Sequence, residues 1–278
     1  MRSLVDATGA LVAPPALTVD EGFRAGIVQQ LTADIGAVLA GSRSGEPLVV
    51  SLPILRQARN RPESLAADGE PFAWKPVFVR RSLGLAALDA CVAGRFRTPG
   101  QAAGPVALAS VARWEETGWR TFHWEPWFAG LAPGARAMVL AEAVGWATSV
   151  WSSLDWEVIG TRVQIGGLDD QWNCPAPGGV RLKGRSELGV PLGAGAVALA
   201  SVSSGCPGER WAEELAYLAL VAALHRPSRP VPARVLGLWP DAGVQSHVEV
   251  GEEILTDAAT RVVSTVTAMV EARSAAAA

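Results

Sequence analysis

No stretch of this chain stays apolar for the roughly 18 or more residues that a membrane helix needs. The amino terminus, MRSLVDATGALVAPPALTVD, also lacks the continuous apolar core of a secretory leader, so neither membrane insertion nor export is expected. Cysteine is scarce. Cys91, Cys174 and Cys206 are odd in number and far apart, which fits neither a disulfide framework nor a zinc site and points to a reducing cytoplasm. The three histidines, His123, His225 and His247, fall in no ligand spacing. Charge is sparse at 18% and balanced, with 13 basic and 12 acidic residues in 1–134, 11 and 15 in 135–278, and a net charge of −3. The strongly basic signature of many nucleic-acid-binding proteins is therefore missing, although a local patch is still compatible, because a field follows the placement of charges and not their total.

What is present is apolar material, 49% of 278 residues, enough to bury one large core or two ordinary ones and to exclude disorder over the whole length. Eight of the eleven tryptophans lie between Trp114 and Trp172. Such rings stack on unpaired bases beside arginines, or pack in a core; the apolar neighbours of Trp146 and Trp151 favour packing.

Thr18 and Glu21 stand at capping-box spacing, and Phe23, Ile27, Leu31 and Ile35 then recur at helical intervals, predicting a helix over 19–40. PLVVSLPIL at 47–55 predicts a strand, with Pro53 at its end or on an edge. Helices follow over 79–93 and 105–117, closed by Gly94 and Gly118, so residues 1–130 read as a mixed, mainly helical region. Residues 131–278 read as a second region: a helix over 135–153, strands near 156–165, 179–190 and 195–203, a helix over 208–225, a strand over 231–239 and a last helix over 251–273. Gly166 and Gly167 beside Asp169 and Asp170 read as a turn, a place where those acids recruit a metal or simply stabilise the bend.

The segment Arg181 to Leu224 carries the chemistry. RLKGRSEL sets Gly184 three residues before Glu187; VALASVSSG follows, and then ERWAEELAYLALVAAL, with Glu213 four residues before Tyr217. This order resembles the PD-(D/E)xK phosphodiesterase superfamily, particularly its RecB-like branch, over about half the chain. The resemblance implies an α/β restriction-endonuclease core of helix, three strands, helix and strand. In that family the second strand ends in Gly-x-x-Asp and the third carries an acid, any residue, then lysine. The matching third-strand positions here are Ser201, Val202 and Ser203, so the expected metal-binding acid and the expected lysine are both serines. The resemblance further implies Glu187 as the remaining metal ligand and Glu213 and Tyr217 as supports of the cleft, a pair whose spacing equally suits ordinary helix packing. Three cysteines do not supply the four-cysteine iron–sulfur cluster of some RecB-like nucleases.

Phosphodiester hydrolysis uses a hard divalent cation held by carboxylates to activate water. A serine does not replace a carboxylate there, and exchanging an ammonium for a hydroxyl removes electrostatic stabilisation worth about 100- to 1000-fold in rate. Strand alternation sets Arg181, Lys183, Arg185 and Glu187 on one face, either a phosphate-contacting row led by Lys183 and Arg185 or a solvated surface. The expected function is thus a catalytically degenerate nuclease-like protein, without cofactor, that binds DNA or RNA or assembles with a protein such as a nuclease or helicase subunit. Two alternatives stand beside it. One is an active magnesium- or manganese-dependent nuclease, with Glu187 as ligand, Glu142, Asp169 or Glu213 as second acid, and Lys183 as the relocated lysine. The other is a purely structural subunit whose Trp-rich surface meets another protein.

Overall fold

The structure is a computed structural model that describes residues 2–40, 47–66, 73–117, 124–176, 179–193, 195–225 and 230–277. In chain order these form β1 (Arg2–Ser3), α1 (Ala7–Val12), α2 (Glu21–Leu39), β2 (Leu48–Val50), α3 (Leu52–Asn60), α4 (Pro76–Val92), α5 (Pro99–Thr117), α6 (Trp124–Ala129), α7 (Pro133–Ser152), α8 (Trp156–Ile159), β3 (Gln164–Cys174), β4 (Val180–Gly193), β5 (Ala196–Val202), α9 (Trp211–His225), β6 (Arg234–Trp239), β7 (Val244–Glu249) and α10 (Glu252–Ala277). The class is α/β, with one mixed seven-stranded sheet ordered β1-β7-β6-β5-β4-β2 and β3 also paired to β4. β3, β4 and β5 form an antiparallel meander, β6 runs parallel to β5 after α9, and β7 is antiparallel to β6. Strands β1 and β2, from the amino-terminal half, join this same sheet.

Helices cover both faces. On one, Ile27, Leu31 and Ile35 of α2 and the almost wholly buried α9 pack with α10 against Leu182, Leu199, Val235 and Val248. On the other, Leu85 and Leu88 of α4 and Trp146, Ala147 and Val150 of α7 cover Leu188, Val190, Ala200 and Leu236. α4 and α7 approach so closely that a Cβ on Gly84 would lie 2.5 Å from Cε3 of Trp146, which leaves room only for glycine. Trp146 and Trp151 both serve packing here, Trp151 stacking on Trp156 with centroids 5.0 Å apart.

Several local expectations are corrected. The cap of α2 is Asp20, whose carboxylate accepts from the Phe23 N–H at 2.7 Å, in place of the Thr18–Glu21 box. The strand expected over 47–55 ends at Val50, and Pro53 lies in the first turn of α3, where its missing N–H costs nothing. Asp155 caps α8, so 156–159 is a helical turn and the first meander strand begins only at Gln164. Gly166 to Asp170 lie within β3 and not in a turn; the register slips by one residue between Ile165 and Leu168, making a bulge opposite Glu187. β7, with its polar Gln245, Ser246 and His247, offered too little apolar alternation to be read from sequence. Gly118 and His123 lie outside the described residues.

Candidate functional site

One edge of β4 pairs continuously with β3, but the other is shared. β2 pairs with Val180 to Leu182, β5 begins at Leu188, and residues 183–187 between them have no strand partner among the described residues. The sheet forks there, and backbone groups that would have bonded to a neighbouring strand need other partners. Tyr217 supplies one: its buried hydroxyl lies 2.8 Å from the Val50 carbonyl and 3.0 Å from that of Lys183, so its proton is shared between β2 and β4. Burial pushes the phenol pKa up and keeps it a donor.

Glu187 supplies the other. It stands one step beyond the last β4–β5 pair, Leu188 and Ala200, which places it opposite Ser201, and its Oε2 accepts from the Val202 N–H at 2.6 Å. Its side chain has no solvent exposure. The second oxygen, Oε1, is held by Nη2 of Arg81 from α4, with Nε of Arg185 at 3.7 Å. A buried carboxylate is tolerated only when paired and hydrogen-bonded. Both conditions are met here by side chain and backbone, and the partner on the far side is an arginine. Burial and the neighbouring Arg185 lower the pKa of Arg81 to about 10, with Asp169 opposing, so it is still a cation at neutral pH.

A divalent metal does not fit these residues. Both Glu187 oxygens are engaged, and the side chains that close on it, Arg81 and Arg185, are positive. The other acids considered stand elsewhere: Glu142 is exposed on α7, Asp169 is exposed and 3.9 Å from Arg185, and Glu213 faces Arg59 at 2.6 Å and Arg261 at 3.1 Å.

Above Glu187 opens a cleft of about 650 Å³ whose walls include Arg80, Arg81, Trp146, Val202, Ser203, Ser204, Cys206, Arg210 and Trp239. Ser203 is half-buried on its wall and Ser201 is buried behind it. Arg56 and Arg59 of α3 also reach the cleft, but α9 holds them: Glu214 takes Arg56 in a two-bond fork at 2.6 and 2.5 Å, and Glu213 takes Arg59. Those acids sit in the first turn of α9, where the helix dipole also favours negative charge. Arg80 differs. Its Nη2 donates to the Ser204 hydroxyl at 2.9 Å, and no carboxylate lies within ion-pair distance of it among the described residues. The Nε groups of Arg80, Arg81 and Arg185 are buried without a hydrogen-bond partner, so the site has more N–H donors than acceptors.

Of the residues singled out from sequence, Glu187, Ser201 and Ser203 meet at the fork, and Tyr217 props it. Arg185 lies beside Glu187; Lys183 is exposed on β4 opposite Gln171 and lines neither this cleft nor the neighbouring one below α3. Arg185 and Glu187 lie together on the face away from α9, against which Gly184 packs, and alternation slips only after Glu187, where Leu188 also turns toward α4 and α7. Sequence reasoning missed Arg80 and Arg81. A signal was present: Arg81 precedes Leu85 and Leu88 on the buried stripe of α4, a position where a charge implies a buried partner. No protein-family model matches the chain, and no curated protein matches it in sequence.

Proposed function

We propose that this chain is a nuclease-like protein of PD-(D/E)xK, RecB-like descent in which catalysis has been lost and the cleft binds nucleic-acid phosphate without metal. The single observation that carries this reading is Arg81 on Glu187: an arginine stands where a metal-dependent relative would need an open carboxylate. The descent is supported by the order of α7, the β3–β4–β5 meander, α9 and the parallel β6, and by Glu187 lying against the Ser201–Ser203 segment. The phosphate is supported by Arg80 and by the Ser203 and Ser204 hydroxyls on the cleft wall, which together suit an anion with several acceptor oxygens.

The test mixes pure protein with labelled single- and double-stranded DNA and RNA in magnesium, manganese or EDTA, beside Glu187→Ala. Intact, shifted nucleic acid in every buffer is expected, with affinity falling as salt rises and falling further in Arg80→Gln. Metal-dependent cleavage that disappears in Glu187→Ala overturns the loss of catalysis, and the absence of any shifted species overturns the binding role.

A further inference from the structure

A second cleft, of about 290 Å³, lies below α3 between α9 and α10. Arg56, Arg59, Arg210 and Glu214 belong both to its wall and to that of the larger cleft, so the two are contiguous. Its charges do not cancel. Four arginines, Arg56, Arg59, Arg210 and Arg261, line it against two glutamates, Glu213 and Glu214, in a chain whose net charge is −3. The Arg56–Glu214 fork is a neutral pair. Glu213 is left with three cations: Nη2 of Arg59 stands 2.6 Å from its Oε2, and Nη1 of Arg261 and of Arg210 stand 3.1 and 3.6 Å from its Oε1. Structural pairing accounts for Arg59, whose hydrogen bond joins α3 to α9. It does not account for the other two. Arg210 and Arg261 are 55% and 44% exposed, and among the described residues neither has another carboxylate within ion-pair distance. Like charges gathered on one carboxylate repel one another, and a further anion relieves that repulsion.

Resting on the reading of the larger cleft as a phosphate site, we infer that the second cleft holds a further phosphate of the same nucleic-acid strand, bound by Arg210 and Arg261, so that the strand's backbone crosses the α3–α9 ion pairs from one cleft to the other. A strand presents a phosphate at every nucleotide, and a cationic groove that tracks the backbone binds it without regard to base. Once one phosphate is seated, the next meets the neighbouring cleft at a high effective concentration, an advantage that a lone phosphate ion lacks. Glu213 tempers the site. It gathers three guanidinium groups in the free protein and opposes the incoming phosphate, so neutralising it favours the ligand. Arg80 lines the larger cleft and not the smaller, and Arg261 the reverse, so the two can be tested apart.

The experiment measures fluorescence anisotropy of a labelled oligothymidylate of about twelve nucleotides, long enough for such a groove, over a salt series, and of labelled inorganic polyphosphate beside it. Arg261→Gln, Arg210→Gln, Glu213→Gln and Arg80→Gln are compared with the parent, and circular dichroism checks each fold. Arg261→Gln and Arg210→Gln are each expected to weaken strand binding by about 2- to 5-fold, the range for one exposed charge pair. Each should also make the slope of log affinity against log salt shallower by about 0.7, the loss of one phosphate contact on a single strand. Glu213→Gln is expected to tighten binding by a similar factor, which arginines present only to pair with Glu213 would not produce. Unchanged affinity and slope in both arginine variants, or no gain in Glu213→Gln, overturns the second subsite, while binding that still weakens in Arg80→Gln leaves the phosphate reading of the larger cleft standing. Dependence on Arg261 without dependence on Arg80 overturns the shared path and the reading of the larger cleft together. Arg261-dependent binding of polyphosphate without strand binding supports the second anion subsite and overturns the nucleic-acid role. Absence of all binding overturns both.

Discussion

Glu187 holds a carboxylate with no contact to solvent, and its tolerance depends on one side chain 106 residues earlier in the chain. Removing that side chain leaves a buried charge without its partner, which costs more than the pair itself contributes. Arg81→Ala is therefore expected to lower unfolding stability by about 3 kcal/mol, near the low end for a broken buried pair because Arg81 is itself partly exposed. The double variant Arg81→Ala, Glu187→Ala should recover part of that loss, and urea midpoints of the three proteins measure it. A single variant as stable as the parent would mean that water replaces the guanidinium at no cost. Glu187 was singled out only because Gly184 and Glu187 resemble a family's Gly-x-x-Asp pattern, a spacing held within one strand. Arg81 was not, because no local rule connects α4 to β4.

The fork in β4 operates at the scale of elements. β2 and β5 leave the same edge of β4 uncovered over 183–187, and the Tyr217 hydroxyl joins the two sides by sharing its proton between Val50 and Lys183. Tyr217→Phe keeps the ring and deletes that proton, leaving two carbonyls less well satisfied. A loss of about 1–3 kcal/mol is expected, seen as a lower urea midpoint with an unchanged slope. An unchanged midpoint would remove Tyr217 from the support of the cleft. Element type was legible where the pattern was long, as in α2, α7, α9 and α10. It failed in short apolar runs: Pro53 suits a strand end and a first helical turn equally, and the few residues after Asp155 carry too little periodicity to choose. Contacts with the rest of the fold made both choices, as in the Trp151–Trp156 stack that seats α8.

For the whole molecule, the sheet and the site draw on both halves of the chain. A fragment of residues 131–278 would lose β1, β2 and Arg81, and would uncover Leu188 and Val190 where Leu85 and Leu88 now pack. Expressed alone, it is expected to be insoluble or to lack a cooperative thermal transition; a soluble fragment with a sharp transition would show that residues 1–130 are dispensable for folding. The sequence by itself determined the α/β class and the run of three strands followed by a helix, since these follow from periodicity within contiguous segments, whereas Glu187, Ser201 and Ser203 were singled out only by a family resemblance. Only the tertiary structure decided what closes on Glu187 and what lines the cleft. Those partners come from α3, α4 and the turn before α9, which are distant in sequence. Their approach is set by how the two helical layers pack on the sheet, a collective outcome of buried area and shape that no local pattern encodes.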